Sequence, residues 1–351
     1  MTDDLPEIDP TRWVYASPAQ EHGDVLTEAH ISAWRDQGFA LVSSIIEPQL
    51  ISELAADGAA HFPPAGSPEA EDFNNFGANL VFPNDSQALT DITLHPRLLQ
   101  AVAELLAVPV HDLRLTQSDV WPKYGRATRS GGKYDHSDQR MHVDYPNHML
   151  THPAEWQRPE AVEIIVYYSD VQACGGATAV VPREGDEDPA YRWPIVDSPG
   201  IAAKPYINDR QSAEADLAAR DPDVARWRAS LYERELYTHY QPGDVLLYRH
   251  DTWHRGTPMR PGAFRLAHNL TYRRADCEWI STLHVGWAWS AYRTPGYLEK
   301  LIAQASLEQR AVLGFPQPGS AYWTEATIAA VAARNAAFGM DMTPYRAALN
   351  K

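Results

Sequence analysis

The first hundred residues alternate between amphipathic stretches and a short apolar run. Thr27 precedes the helical pattern EAHISAWRDQ, and Gly38 follows it. A threonine N-cap and a glycine after the last turn are common signals for the two ends of a helix. The strand-like run FALVSSI comes next, and Glu47-Pro48 then predicts a second helix, because proline is favoured in a first helical turn. The apolar pattern RLLQAVAELLA predicts a third helix.

Between the second and third predicted helices, residues 62–90 break the pattern. This segment is rich in Pro, Asn and Gly. These residues favour turns and irregular backbone. The sequence therefore predicts a long loop or lid over residues 62–90.

From Leu113 onward the hydrophobic period changes from helical to two, which indicates β-strands. The predicted strands are RLTQSDVWPKY, AVEIIVYYSDV, TAVVP, GDVLLYR and FRLAHNLTYRR. A polar helical insertion, at about residues 213–235, separates TAVVP from GDVLLYR. Several short strands separated by turn residues are typical of an antiparallel double sheet or jelly roll. The predicted fold class is mainly β with flanking helices.

After residue 275 the chain is predicted to be helical and unusually aromatic. The run Trp279–Tyr292 is interpreted as core packing or a subunit contact, so a homodimer through the C-terminal helices is predicted. A last helix would begin after Thr324 and end at Gly339. The 351 residues are thus predicted to form a single domain, with a helical N-terminal part at 25–107, a β core at about 110–275 and a C-terminal extension at 276–351.

Charge and composition narrow the function classes. The formal net charge is −16, and no long basic run is present. Nucleic acid and anionic membranes are normally bound by clustered Lys and Arg, so neither is an expected partner. No apolar run approaches the ~18 residues of a membrane span, and the acidic N-terminus does not resemble a signal peptide. With only Cys174 and Cys277 present and no CxxC spacing, a cytoplasmic protein without a disulfide framework is expected.

The stretch KYDHSDQRMHVDYPNH contains His-any-Asp twice, as His136-Ser-Asp138 and His142-Val-Asp144. On a strand, period two sends both side chains of such a tripeptide to the same side. A non-haem iron(II) site uses two histidines and one carboxylate and leaves coordination positions open. The motif therefore needs a second histidine from a distant strand.

The stretch GDVLLYRHDTWHRG offers that histidine, as either His250 or His254. Eleven residues after His254, Arg265 lies in an otherwise apolar predicted strand. If a 2-oxo acid chelates iron through its keto oxygen and one carboxylate, its far carboxylate requires a cation. A guanidinium can bind a carboxylate through two hydrogen bonds. Arg265 suits this role, although a structural ion pair is the alternative.

The sequence resembles the phytanoyl-CoA dioxygenase-like family of iron(II)- and 2-oxoglutarate-dependent oxygenases. The matching pieces, in the order of the family, are GFALVSSIIEPQLISEL, HVD, CGGATAVVPREG, GDVLLYRHDTWHRG and Arg265. The resemblance implies a double-stranded β-helix with His142, Asp144 and His254 as catalytic iron ligands. It also implies that Arg265 binds the distal carboxylate of 2-oxoglutarate and that the family's spacing from Gly243-Asp244 favours His254 over His250.

The two His-any-Asp motifs differ in their surroundings. His142-Val-Asp144-Tyr alternates in a strand-like way, whereas His136-Ser-Asp138 lies near Arg129-Ser-Gly-Gly in a polar stretch that predicts a loop. The metal is therefore assigned to His142 and Asp144.

The strand TQSDVWPKY resembles the family strand that lines the pocket. Alternation would place four of its residues on one face: Gln117, Asp119, Trp121 and Lys123. Trp121 and Lys123 are assigned to cosubstrate binding, and Gln117 and Asp119, with His148, to the substrate pocket. For Trp121 the alternative is core packing, and for His148 it is a histidine of a loop. An ectoine-hydroxylase-like relative has arginine and asparagine where this chain has Asp119 and Trp121, which argues against ectoine as the substrate.

The predicted activity is hydroxylation of an unactivated C–H bond of a small-molecule metabolite. The cofactors would be Fe(II), 2-oxoglutarate and O2, and the coproducts succinate and CO2. Halogenating relatives have a small residue in place of the carboxylate ligand, where this chain has Asp144. The strongly negative charge favours a small free metabolite over an acyl-CoA. The alternative is a cupin-like metal-binding protein without turnover.

Overall fold

The computed structural model describes residues 8–73, 80–126, 137–144, 158–185, 187–191, 207–277, 297–320, 323–325, 328, 331–332 and 338–349. Its strands are β1 (Trp13–Tyr15), β2 (Ser17–Pro18), β3 (Phe39–Ser43), β4 (Leu80–Val81), β5 (Leu113–Tyr124), β6 (Ala161–Tyr167), β7 (Thr178–Val180), β8 (Leu236–His239), β9 (Val245–Arg249), β10 (His254–Gly256) and β11 (Phe264–Arg274).

The helices are α1 (Glu28–Gln37), α2 (Pro48–His61), α3 (Pro68–Asp72), α4 (Gln87–Thr93), α5 (Pro96–Leu106), α6 (Val171–Cys174), α7 (Arg210–Arg220), α8 (Pro222–Arg234), α9 (Tyr297–Gln304), α10 (Leu307–Val312) and α11 (Thr343–Leu349). Single 3-10 turns occur at Pro10–Arg12, Val110–Asp112 and Pro189–Tyr191.

The strands form two sheets. The larger has the order β2-β3-β9-β6-β11-β5-β4, and the smaller has the order β1-β8-β7-β10. All neighbouring pairs are antiparallel except β2 with β3 and β1 with β8. A buried cluster that includes Val180 of the smaller sheet and Leu246 and Ala267 of the larger one shows that the sheets pack against each other. The predicted jelly-roll fold with flanking helices is confirmed.

Alternation along the central strands divides the core. On one face of the seven-stranded sheet, Ile164, Leu247 and Leu270 belong to the largest hydrophobic cluster, which also contains residues of α1, α2, α4 and α5. Their chain neighbours point to the opposite face, towards the smaller sheet. Helices thus cover the outer face, and the inner face is left for the space between the sheets.

The helix ends follow the capping signals of the sequence. The Thr27 hydroxyl accepts a hydrogen bond from the His30 amide, and Gly38 has the left-handed φ of 101° that glycine adopts without steric cost. The predicted polar insertion is helical but consists of two helices. Pro222 begins α8, and the Asp221 carboxylate caps it by accepting from the Val224 amide.

Several predictions of local structure are wrong or incomplete. Residues 62–90 are not only a loop, because α3, β4 and the start of α4 lie within them. The part at 25–107 contains, besides its helices, the predicted strand β3 and the unpredicted strand β4, both in the larger sheet. The predicted helix after Thr324 lies largely outside the described residues, as does the whole run Trp279–Tyr292. The homodimer therefore stays a prediction.

Candidate metal centre

Three side chains, His142, Asp144 and His254, converge between the sheets. His254 begins β10, and His142 forms an isolated antiparallel bridge with it, through reciprocal N–H to C=O hydrogen bonds of 3.0 and 2.9 Å. The Asp144 amide donates to the His250 carbonyl at 3.1 Å. The candidate ligand atoms of the three residues all lie within 4.8 Å of one another. The backbone pairing therefore brings the distant histidine next to the His-any-Asp tripeptide.

Both histidines are oriented in the same way. Nδ1 of His142 lies 3.0 Å from the Arg140 carbonyl, and Nδ1 of His254 lies 3.0 Å from the Thr252 carbonyl. A ring that donates its Nδ1 proton to a carbonyl keeps Nε2 as the acceptor nitrogen. The two Nε2 atoms face the carboxylate of Asp144, at 3.7 Å for His142 and 3.3 Å for His254. This tautomer and orientation are the ones a metal ion requires.

The two imidazoles have opposite pKa shifts. Burial, together with the nearby positive charges of His254 and Arg140, lowers the pKa of His142 to about 3. Burial also disfavours the charged form of His254, but the adjacent Asp144 carboxylate outweighs it and raises the pKa of His254. The Asp144 carboxylate thus favours positive charge beside it, as a bound metal cation would supply.

Tyr248 contacts both kinds of ligand residue. Its hydroxyl donates to Oδ2 of Asp144 at 2.8 Å, and its ring centroid lies 4.8 Å from that of His254. Burial, followed by the neighbouring carboxylates of Asp144 and Glu163, raises the pKa of Tyr248 well above its usual value. The phenol therefore keeps its proton and acts as a donor. No motif in the sequence predicted this role for Tyr248.

The alternative candidates for the metal ligands, where the structure describes them, form contacts with other residues. Oδ1 of Asp138 accepts from Nη1 of Arg255 at 2.5 Å, and His136 lies outside the described residues. The buried His250 forms an ion pair with the buried Glu163. The geometry thus favours the choice of His142, Asp144 and His254.

The four pocket residues predicted on β5 lie at alternating positions along that strand, opposite β11. Gln117 pairs with Thr271, Asp119 with Asn269, Trp121 with Ala267 and Lys123 with Arg265. Their side chains share the inner face, because Ala267 packs in the cluster between the sheets. Nζ of Lys123 donates to the Thr257 carbonyl at 2.8 Å. The assigned roles of these residues stay predictions, and His148 lies outside the described residues.

Arg265 lies at the end of this face. Its Nη1 donates to the Gly176 carbonyl, and its buried Nε has no hydrogen-bond partner among the described residues. No carboxylate of the described chain forms an ion pair with it. A Cβ on Gly176 would come within 2.6 Å of the Met259 side chain and within 3.6 Å of Nη1 of Arg265, so glycine keeps this space open. The guanidinium therefore has unused donors where an anionic ligand could bind.

The donor set fits the groups that the sequence analysis expected. Two imidazole nitrogens and one carboxylate match non-haem iron(II), and the unused guanidinium donors match the distal carboxylate of 2-oxoglutarate. The metal ligands and Arg265 come from distant parts of the sequence and are brought together only in the folded chain.

Comparison with known families agrees with this geometry. The sequence profile of the family described as "Phytanoyl-CoA dioxygenase (PhyH)" matches residues 34–267, about two thirds of the chain. The chain belongs to the phytanoyl-CoA dioxygenase family. The expected enzyme class, an iron(II)- and 2-oxoglutarate-dependent dioxygenase, is confirmed by this membership, as are its cofactors. No curated protein sequence is similar enough to this chain to count as a match.

Solved structures that this chain resembles include three proteins of low sequence identity. The carbocyclase SnoK from nogalamycin biosynthesis, described as non-heme and alpha ketoglutarate dependent, is 18% identical, with 77% of this chain and 92% of that chain covered and a TM-score of 0.46. EvdO2 from Micromonospora carbonacea var. aurantiaca, complexed with 2-oxoglutarate, is 15% identical, with 73% and 94% covered and a TM-score of 0.48. AviO1 from Streptomyces viridochromogenes Tue57 is 16% identical, with 71% and 96% covered and a TM-score of 0.45.

The helices in the described part of this family member do not include one with the length and apolar character needed to cross a membrane.

Proposed function

We propose that the protein hydroxylates an unactivated C–H bond of a small-molecule metabolite and releases succinate and CO2. The observation that carries this proposal is the convergence of His142, Asp144 and His254 in a site whose inner wall also carries Arg265. When bound, iron(II) with 2-oxoglutarate and O2 supplies an oxidant strong enough to attack such a bond.

The residues of the chain supply coordination, orientation and burial. His142, Asp144 and His254 would hold the metal on one side and leave the other side for cosubstrate and O2. Nδ1 of each histidine is anchored on a backbone carbonyl, which fixes both rings before metal binds. Arg265 would pair with the distal carboxylate of 2-oxoglutarate and set the direction of the cosubstrate.

Hydroxylation is favoured over halogenation because Asp144 lies beside both histidines. A halogenase of this type needs a coordination position for chloride, and the carboxylate of Asp144 occupies that position. Oδ2 of Asp144 lies 3.3 Å from Nε2 of His254, so the carboxylate is at the centre of the ligand set.

The substrate class is proposed from charge. At a net charge of −16 the protein repels polyanions at long range, and a coenzyme A thioester carries several phosphate charges. The inner face adds two buried carboxylates, Asp119 and Glu163, to the wall near the metal site. A small metabolite without phosphate groups suits this environment better than an acyl-CoA.

A cupin-like metal binder without turnover is the second candidate. Such a protein would need the two histidines and the carboxylate but would have no use for Arg265. The half-buried arginine has a buried Nε without a hydrogen-bond partner among the described residues, and a buried polar group without a partner is costly. The presence of Arg265 therefore favours the enzyme.

The test is a coupled assay with iron(II), 2-oxoglutarate and O2, in the presence of a panel of small metabolites and of acyl-CoA thioesters. We expect succinate, and a product that gains one oxygen atom derived from 18O2. His254→Ala serves as the inactive control. The absence of succinate with every candidate substrate would favour the metal binder, and a chlorinated product in chloride buffer would contradict hydroxylation.

A further inference from the structure

Tyr248 connects the larger sheet to the metal site. It lies on β9, where it pairs with Glu163 of β6 and with Phe39 of β3. Its side chain points from the inner face towards the ligands and is 5% exposed. The segment that carries Asp144, by contrast, pairs with β10 of the smaller sheet through His142. The Tyr248–Asp144 hydrogen bond therefore joins the two sheets at the metal site.

Tyr248 donates to only one of the two carboxylate oxygens of Asp144. Oδ2 accepts the phenol proton at 2.8 Å and lies 3.3 Å from Nε2 of His254, whereas Oδ1 lies 3.7 Å from Nε2 of His142 and receives no bond from Tyr248. A carboxylate can bind a metal through one oxygen or through both. A donor fixed on one oxygen restricts rotation of the carboxylate and engages one of the two lone pairs of that oxygen, which disfavours a second metal bond there.

We propose that Tyr248 is a positioning residue that fixes the rotation of the Asp144 carboxylate, so that Asp144 offers a single oxygen to the metal. This inference rests on the proposed function, since it concerns the geometry of the same centre. A carboxylate bound through both oxygens would occupy a coordination position that 2-oxoglutarate and O2 need. Tyr248 thus keeps that position open, and it does so without binding cosubstrate or substrate itself.

A second buried tyrosine hydrogen bond, far from the metal ligands, provides a control for the Tyr248–Asp144 hydrogen bond. Tyr272 is fully buried, and its hydroxyl donates to the Thr93 carbonyl on the outer face of the larger sheet. Tyr248→Phe and Tyr272→Phe each remove one buried phenolic hydroxyl and nothing else. A general effect of losing such a hydrogen bond would be common to both variants, whereas an effect on the metal site would be confined to Tyr248→Phe.

The experiment uses cobalt(II) as the probe, in the full-length protein. Visible absorption of bound cobalt reports its coordination number, and titration reports its affinity. For Tyr248→Phe we expect roughly ten- to hundredfold weaker cobalt binding, the range typical when a partner of a metal ligand is removed, and a changed visible spectrum. The cobalt-loaded variant should also bind 2-oxoglutarate more weakly. Tyr272→Phe should match the wild type in all three measurements.

Cobalt affinity and spectrum in Tyr248→Phe within twofold of the wild type would overturn the inference and leave the proposed function intact. A wild type that does not bind cobalt would overturn both. If Tyr248→Phe does not fold, a crystal structure of the cobalt-bound wild type tests the proposal by showing how many oxygens of Asp144 bind cobalt. Cobalt bound by one oxygen of Asp144 supports the proposal, and cobalt bound by both oxygens of Asp144 overturns it.

Discussion

The two faces of the seven-stranded sheet are built from the same strands but carry different chemistry. On the outer face, Ile164, Leu247 and Leu270 are at most 1% exposed and pack in the helix-covered core. On the inner face, their chain neighbours include Glu163, Tyr248 and Asn269. Because successive side chains of a strand point to opposite faces, a residue that packs in the core and a residue that faces the metal site can be direct neighbours in the chain. Substitutions on the two faces should therefore have separable effects.

The largest effect is expected at the metal ligands themselves. His142→Ala, Asp144→Ala and His254→Ala should each abolish turnover, because two histidines and one carboxylate are the minimum set of protein ligands here. Elemental analysis of iron and a succinate assay would measure this loss. His136→Ala is the matched control and should be nearly silent. Loss of iron in His136→Ala but not in His142→Ala would show that the wrong motif was assigned.

On the inner face away from the ligands, Arg265→Leu should weaken 2-oxoglutarate binding while leaving metal content almost unchanged. Losing one partner of a desolvated ion pair costs ~2–5 kcal/mol, which corresponds to a tens-fold or greater loss of affinity. Anaerobic titration of the metal-to-ligand absorption band would measure it. Arg265 should also select 2-oxoglutarate over pyruvate, which lacks the distal carboxylate. Unchanged affinity in the leucine variant would remove Arg265 from the cosubstrate site.

The contrast between the faces also explains what the sequence could predict. Strands β5, β6, β9 and β11 are long enough for period two to be visible, and all four were predicted. Strands β1, β2, β4 and β10 have only two or three residues, so they contain too few positions to establish a period. Their place in the sheets depends on pairing with distant strands. The break between α7 and α8 did have a local signal, in Asp221-Pro222, that the analysis did not use.

In the metal site, sequence spacing could predict the relative position of only those ligands that are close together in the chain. His142 and Asp144 share a tripeptide, so alternation alone predicts that their side chains lie on the same side. The contribution of Tyr248 could not be predicted in this way. Its hydroxyl donates to the carboxylate of Asp144, which lies 104 residues earlier in the chain, in a segment that pairs with the other sheet. No pattern within GDVLLYR predicts that contact.

On the outer face, Leu270→Ala should destabilise the fold without changing the metal site. Leu270 is fully buried on β11, and removing its side chain leaves a cavity in the core. Such a substitution costs about 2–5 kcal/mol of unfolding free energy. Urea unfolding of the metal-free protein would measure the loss, and cobalt titration of the folded variant should match the wild type. A variant of normal stability with weaker cobalt binding would contradict the separation of the two faces.

The smallest effect concerns His268, a titratable residue of the outer face. It is fully buried, with Nε2 at 2.8 Å from the Ser118 hydroxyl and Nδ1 at 3.3 Å from that of Tyr168. Burial lowers its pKa from 6.5 to about 3. Below pH 6.5 the unfolded chain therefore binds a proton that the folded protein does not, and stability falls with falling pH by about 1.4 kcal/mol per unit until the folded pKa is reached. Above pH 6.5 this contribution to stability is constant.

His268→Gln removes that proton uptake but keeps one amide donor and one acceptor. We expect the variant to be less stable than the wild type at pH 8, with a difference that narrows between pH 6.5 and pH 5. The measurement is urea unfolding of the metal-free proteins at several pH values. The control is His22→Gln, which removes an exposed imidazole and so tests whether the loss of any histidine changes the curves. Parallel curves for the wild type and His268→Gln would mean that His268 has the same pKa in the folded and unfolded states, which would contradict the prediction.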